Sequence, residues 1–568
     1  MTPEDVAAND RPWLDAYAEG VPHDIDEPAQ PLTALLDGTI ARFGSHVALD
    51  FFGSTTTYDQ LGQAVAQGAE VLRRLGVRAG DRVALILPNC PQHVAAFYAA
   101  LRLGAIVVEH NPLYTADELS VQLADHGARV VICWEKTAAT IDAVRARTSV
   151  ETIIAVNLAA ALPLPKRVAL RLPLPSAKRA KAQLRGALPT GTQRWESLVA
   201  STPPLDPAMP SPTVDDIALL QYTGGTTGTP KGAMLTHRNL AANARQGKAW
   251  VAGLRDGEET FLAVLPLFHA YGLTLCLTFA VSVGARLVLL PRFEVDQMLA
   301  TIRRCRPTFL PGVPTLYERL AEAAETTGAD LTSIRFAISG AMSLPERIVD
   351  QWERHTGGLL VEGYGMTETS PVTVGNPISL KRRPGSVGVP FPSTRARVVD
   401  PDDPTREYPP GKPGELLIAG PQVFSGYWRR PDETAAALLP GGWIRTGDLA
   451  TMDQDGFITI VDRIKEMIIT GGFNVYPSEV EQVLVRHPEI ADAAVVGLPA
   501  RPSGEHVAAA IIPVAGAQVG LETLRDWCRQ HIAGYKIPRQ IMVLPELPRN
   551  QVGKVLRRVV REQFLADR

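Results

Sequence analysis

Short apolar runs followed by longer amphipathic stretches recur along the first two thirds of the chain. "DRVALILPN" predicts a buried strand from Arg82 to Leu87, and "PQHVAAFYAALRLGAIVV" predicts a helix and then a second apolar run. The same cadence returns at "ARVVICW", "TFLPGVPTLYERLAEAAE" and "IRFAISGAMSLPERIVDQW". Such alternation implies layered α/β structure on parallel sheets, because parallel strands need the long crossover that a helix supplies. From Arg395 to Ile460 the pattern shortens to runs such as "ARVVD", "GELLIAG" and "GFITIVD" between Pro, Gly and Asp turns, which predicts antiparallel β structure. After "DRIKEMIITGG", helices at "SEVEQVLVRH" and "LETLRDWCRQHI" alternate with strands at "AAVVGLP" and "HVAAAIIPV", making a smaller α+β unit of about a hundred residues.

Two segments depart from this cadence. Leu262 to Ala285 carries no Asp, Glu, Lys or Arg over a length that could cross a bilayer. Pro266, His269, Gly272 and Gly284 punctuate it, so a strand, a loop and a buried helix are expected in place of one span. Residues 157–194 combine repeated prolines with Lys166, Arg167, Arg171, Lys178, Arg179, Lys181 and Arg185. This basic, amphipathic stretch fits either a solvated insertion or a peripheral membrane contact through residues 157–190.

At 568 residues the chain exceeds what one core organises, so at least two domains are expected. With 45% hydrophobic and 21% charged residues, it falls among globular proteins. Its 57 basic and 60 acidic residues nearly balance, which excludes a global electrostatic grip on nucleic acid. Cys90, Cys133, Cys276, Cys305 and Cys528 lie far apart without a CxxC pair, and "MTPEDVAAND" lacks the pattern of a secretory leader. Buried thiols in a reducing, cytoplasmic setting are expected. Composition does not choose between monomer and homodimer.

The densest candidate chemistry is "YTGGTTGTPKG", Tyr222 to Gly232. Glycines permit backbone conformations that let successive N–H groups converge on an anion, and Thr223, Thr226, Thr227 and Thr229 add hydroxyl donors. The preceding "DIALLQYT" predicts a strand that delivers this phosphate-suited loop, with Lys231 nearby. A Walker A loop needs Gly before its lysine and Ser or Thr after; Pro230 and Gly232 stand there instead. An ordinary glycine-rich connection remains open from composition alone. Downstream, "EGYGMTET" places Tyr364, Thr367 and Glu368 after a strand expected to end near Val361, and its carboxylate suits Mg²⁺. "RTGDL" offers Asp448, whose two oxygens can accept a ribose diol; "VDRIKE" adds Arg463 and Lys465; "LPRNQVGKVLRR" adds Lys554. Singly, Glu368 could cap a helix, Asp448 a turn, and Lys554 could be a solvated lysine in a basic helix.

Taken in this order, the segments resemble the adenylate-forming superfamily of acyl-CoA synthetases, luciferases and peptide-synthetase adenylation domains. The likeness runs from about Leu35 to Arg558, and "RPWLDAYAEGVPHDID" and "NQVGKVLRR" are similar to bacterial long-chain fatty acid CoA ligases. The resemblance implies a large N-terminal domain of layered α/β subdomains with a small β-barrel-like part, residues 1–464. A mobile α+β domain follows, residues 465–568, hinged near Lys465. It implies ATP-dependent conversion of a fatty acid to an acyl-adenylate and then, with CoA, to acyl-CoA and AMP. By resemblance, Thr223, Gly224, Gly225, Thr226, Thr227, Gly228, Thr229 and Lys231 embrace the β- and γ-phosphates. Gly340, Ala341, Gly363, Tyr364 and Gly365 flank the adenine, while Asp448 and Arg463 grip the ribose. Thr367 touches the α-phosphate, Glu368 holds Mg²⁺, and Lys554 bridges carboxylate and phosphate. Gly471, Gly472 and Phe473 line the CoA path. His269 stands either beside the acyl carboxylate or as a buried structural histidine, with the acyl chain running near Tyr271, Gly272, Gly312 and Val313. Transfer to a carrier-protein thiol, or action on another carboxylic acid, is the alternative.

Overall fold

The computed structural model describes residues 11–223, 230–470, 473–500, 505–550 and 553–566. Two mainly parallel sheets carry the first two thirds of the chain. One has seven strands; its interior strand Arg82–Ile86 lies between Val130–Trp134 and Ile106–Glu109, all parallel. Its edge is an antiparallel hairpin of Ile217–Thr223 and Lys231–Thr236, in which Thr223 pairs with Lys231. The strand expected before the glycine-rich motif therefore forms and ends at its first threonine.

The second sheet has nine strands, parallel from Leu359–Gly365 through Phe336–Ser339, Phe309–Gly312, Thr260–Ala263 and Arg286–Leu289 to Val47–Phe51. The strand expected to end near Val361 continues to Gly365, because Gly363 to Gly365 pair antiparallel with Val372–Gly375. Residues Thr367 and Glu368 thus leave the sheet one turn later than the hydrophobic pattern alone indicated. The uncharged segment after Leu262 forms the end of a strand, a loop and a buried helical stretch from Ala270 to Ser282. No described helix is long and apolar enough to cross a membrane.

The expected antiparallel region is a sheet of five strands, with Trp443–Met452 pairing Gly414–Ala419 on one side and Ile458–Arg463 on the other. The smaller domain follows as a three-stranded sheet of Ile490–Pro499, Glu505–Pro513 and Gln540–Val543, with helices Pro477–Val485, Leu521–His531 and Arg557–Ala566. Its two apolar clusters, around Val480, Leu484 and Leu524 and around Val560 and Phe564, contain no residue before Ile468. The clusters of the larger domain contain none after Ile460. The seam between the two domains is crossed by no shared core among the described residues. All five cysteines are free and buried.

The two large sheets are locked to each other by buried Asn89, which follows the strand Arg82–Ile86. Its amide donates to Ala263 and Leu265 carbonyls at 3.1 and 2.9 Å, and its oxygen accepts from the Leu267 N–H at 2.8 Å. Those backbone groups belong to the strand and loop leading into His269. Asn89→Ala should leave them unpaired in a dry interior and lower stability by about 2–3 kcal/mol, read as a drop in the urea midpoint of the larger domain. A midpoint unchanged from the parent would show that the loop is held by other means.

Candidate active site

A cleft of about 740 Å³ opens between the second parallel sheet, the five-stranded sheet and the smaller domain. Among the residues the sequence singled out, Thr223, Lys231, His269, Gly340, Ala341, Gly363, Tyr364, Gly365, Thr367, Glu368, Asp448, Arg463, Lys465 and Lys554 all line it. Phe473 does not; it is exposed, its ring stacked on Tyr535 at 4.6 Å. Gly224, Gly225, Thr226, Thr227, Gly228 and Thr229, like Gly471 and Gly472, lie outside the described residues.

The backbone of the wall packs closely on itself. A Cβ on Gly365 would stand 1.7 Å from the Pro371 carbonyl oxygen, so only glycine fits where the chain turns out of the sheet. Ala341 holds φ +66, a left-handed conformation costly for a residue with a Cβ.

Asp448 and Arg463 face each other in register on neighbouring strands, with Arg463 Nε 3.1 Å from one Asp448 oxygen. The other oxygen accepts from the Tyr364 hydroxyl at 2.5 Å. Each carboxylate oxygen carries two lone pairs, so both can still accept a further hydroxyl. Tyr364 therefore does more than border the cleft: it fixes the carboxylate, whose charge in turn pushes the phenol pKa well above its usual value, after burial itself.

Glu368 is buried and accepts from the Tyr427 hydroxyl at 2.8 Å. Among the described residues no lysine or arginine pairs with it, and burial raises its carboxyl pKa. A desolvated carboxylate on a cleft wall with oxygen lone pairs to spare fits a hard cation such as Mg²⁺. Tyr427 was not found from the sequence, because it stands 59 residues from its partner and in no motif. Nor was Asn550, which lines the cleft and whose side chain accepts from the Lys554 N–H at 2.9 Å.

Lys554 is not in the basic helix, which begins at Arg557. It sits half-buried, its carbonyl accepting from the Asn550 N–H at 2.9 Å while the Asn550 carbonyl accepts from the Gly553 N–H at 2.9 Å. Burial, then the neighbouring Arg463 guanidinium, push its ammonium down to about 8, against the pull of Glu466 and Asp448.

A second cavity of about 720 Å³ meets the first at Thr223, His269, Thr367, Arg463, Asn550 and Lys554. His269 Nδ1 accepts the Tyr271 N–H at 3.3 Å, so its proton stands on Nε2. Burial lowers its pKa to about 4, making it a neutral donor at physiological pH. It both caps the buried helical stretch and lines the two cavities.

Of the residues expected beside the acyl chain, Tyr271 lines the main cleft, while Gly272 and Gly312 are closely packed. A Cβ on Gly272 would lie 2.1 Å from the Pro266 oxygen, one on Gly312 2.9 Å from the Tyr317 ring, and the Tyr271 hydroxyl is bonded across to Ile338 O. Behind Ile338, Gly363 and Val372 the main cleft borders an apolar space of only about 10 Å³, lined by Gly247, Trp250, Leu275 and Phe279.

A two-domain α/β chain with a phosphate-suited hairpin, an aspartate–arginine pair and a lysine delivered by the smaller domain belongs to a recognisable class. The model of the AMP-binding enzyme family matches residues 36–428, and that of the AMP-binding enzyme C-terminal domain matches residues 479–554. The chain belongs to the AMP-binding enzyme family. A long-chain-fatty-acid–CoA ligase of Bacillus subtilis is 38% identical over 558 residues, covering 97% of this chain and 98% of the relative. ATP-bound MatB from Rhodopseudomonas palustris superposes with a TM-score of 0.80 at 30% identity, covering 94% of this chain and 99% of MatB. Apo MatB, at the same identity and covering 94% and 98%, superposes at 0.70.

A lysine that works through its charge loses that role above its pKa. The kcat/KM for acid-dependent pyrophosphate release, which reports groups of the free enzyme, should therefore fall as pH rises through about 8. Lys554→Arg should keep activity on that limb, since guanidinium stays protonated. A parent profile flat across this range would remove the assignment.

Proposed function

We propose that this chain activates a medium- to long-chain fatty acid with ATP and passes the acyl group to CoA. A carboxylate is a poor electrophile: its charge repels nucleophiles and its oxygen leaves badly. In the first step the carboxylate oxygen attacks the α-phosphorus, the bond to the β-phosphate breaks, and pyrophosphate departs. In the second the CoA sulfur attacks the acyl carbon, gives up its proton, and AMP leaves.

The observation that carries this reading is the convergence of Lys554, His269 and Thr367 where the two cavities meet. Lys554 offsets the repulsion between carboxylate and phosphate, and the His269 Nε2 proton is free to orient an oxygen of either. Asp448 and Arg463 hold the ribose, with Tyr364 locking the aspartate. Gly340, Ala341, Gly363 and Gly365 let adenine approach the backbone, while Thr223, Lys231 and the glycine-rich motif take the β- and γ-phosphates. Glu368, steadied by Tyr427, holds Mg²⁺, which supplies charge neutralisation to the triphosphate. The choice of a fatty acid is supported by the activity named for the Bacillus relative, a long-chain-fatty-acid–CoA ligase.

For the second step, residues 465–568 rotate about Lys465, withdrawing Lys554 and bringing Phe473 with Gly471 and Gly472 toward the CoA path. The separate apolar clusters on either side of the seam support this, as does the closer likeness to ATP-bound than to apo MatB. Phe473, exposed in the present arrangement, has then a place to go.

AMP release with CoA, measured over saturated acids from acetate to palmitate plus an aryl acid, should peak between octanoate and palmitate. A peak at acetate or the aryl acid would overturn the substrate, and transfer only to a phosphopantetheinyl carrier would overturn the acceptor. Lys554→Ala should lose acid-dependent pyrophosphate release by about 10²-fold or more yet still convert supplied acyl-adenylate and CoA to thioester. Equal loss of both steps would contradict the rotation.

A further inference from the structure

Between Glu151 and Glu196 the chain holds eight lysines and arginines and no carboxylate side chain. Two helices, Leu164–Ala169 and Pro175–Leu184, occupy the middle of this stretch, and neither has a buried residue. Helices of six and ten residues are too short to persist in water on propensity alone and normally rely on burying an apolar face. Here the apolar side chains point outward: Leu164 is 67% exposed, Val168 51%, Leu172 47% and Leu174 52%. Leu164 and Val168, four residues apart, lie on one face of the first helix.

The segment is nevertheless tied down at its far end. The Trp134 indole donates to Leu184 O at 2.8 Å, and Arg185 grips buried Glu135 through two hydrogen bonds at 2.9 and 3.1 Å. Leu170 and Leu184 pack on the main core. In the second helix Ala177, Ala180 and Leu184 are only partly exposed, at a spacing that turns them toward the protein, while Lys178, Arg179 and Lys181 are exposed. Among the described residues, Lys166, Arg167, Arg171, Lys178, Arg179 and Lys181 form no ion pair. The result is an anchored surface that mixes outward leucines with cations whose charge no carboxylate among the described residues offsets, Lys166 lying over the Phe52 ring at 4.9 Å.

We propose that this two-helix surface docks the enzyme on an anionic phospholipid bilayer. Cations placed at a negatively charged leaflet are attracted to it, and leucine and valine among them insert at the headgroup boundary; each contribution is modest alone and they add. A polyanion such as RNA would use the cations and leave the apolar side chains without a partner. The proposal rests on the exposed surface and is independent of which acid the enzyme activates.

The full chain should co-sediment with vesicles containing about a third phosphatidylglycerol in phosphatidylcholine at about 0.1 M salt, bind pure phosphatidylcholine vesicles far less, and release as salt rises. A Lys178→Glu, Arg179→Glu, Lys181→Glu variant should lose vesicle affinity by at least about tenfold. A Leu164→Ser, Val168→Ser variant should lose affinity by several-fold. Both should keep the parent's AMP release on detergent-dispersed acid, because all five positions are exposed and outside the cleft. Equal vesicle binding by parent and both variants would overturn the proposal. So would loss in the charge variant alone, with the apolar variant unchanged and an RNA oligonucleotide bound as tightly as vesicles.

Discussion

The structure turns on placing positive charge where two anions must meet. In water a carboxylate and a triphosphate are each well solvated and repel one another weakly through a high dielectric. In a cleft that excludes water both the repulsion and any compensation grow. The cleft answers with cations of unequal mobility. Arg463 is fixed by its in-register partner Asp448 on a neighbouring strand. Lys554 sits on a loop that another domain carries. Burial, and after it the Arg463 guanidinium, lowers the Lys554 pKa, so the ammonium is costly there without an anionic partner. A group destabilised alone and stabilised in company is suited to a step in which charge is brought together.

The acidic side chains are arranged with the same economy. Asp448 and Glu368 are both buried, yet each receives a tyrosine hydroxyl, from Tyr364 and Tyr427 respectively. A neutral donor holds a carboxylate in place without cancelling its charge: Glu368 keeps its charge available to a cation, and Asp448, already paired with Arg463, keeps lone pairs for hydroxyls. The backbone supports this: the strand through Tyr364 continues to Gly365, where no side chain fits, so the tyrosine hydroxyl reaches Asp448 from a rigid ladder.

Much of this was legible in the sequence, and the part that was not shares one cause. Apolar runs alternating with amphipathic stretches identified parallel-sheet α/β structure, and the change of texture at Arg395 marked an antiparallel β region, because both signals are local in the chain. Glu368, Asp448 and Lys554 stood out because motifs are also local. Tyr427 and Asn550 were missed because their value is a contact made across the fold. The end of the strand at Val361 was misjudged for the same reason: whether Gly363 to Gly365 stay extended depends on Val372–Gly375 pairing alongside, which no run of hydrophobic residues announces. The acyl chain was expected near Gly272 and Gly312 by resemblance alone; in the fold these glycines are where the chain packs closely on Pro266 and Tyr317, a contact no local pattern announces.

The seam between the domains explains how one pocket could serve two reactions. Among the described residues, no apolar cluster crosses it. Contacts that do cross include the Ser478 N–H donating to Asp462 at 2.8 Å, and Gly553 beside Met342, where a Cβ would stand 3.1 Å from the sulfur. Apolar contacts resist separation because their loss exposes surface to water, whereas hydrogen bonds at an open seam exchange for water at little net cost. A domain with its own core, held by such contacts and joined through the short turn Ile464–Glu466, can leave and return without unfolding. The proposed rotation needs that property: Lys554 must bind firmly enough to order the first step, and weakly enough to vacate the cleft for the second.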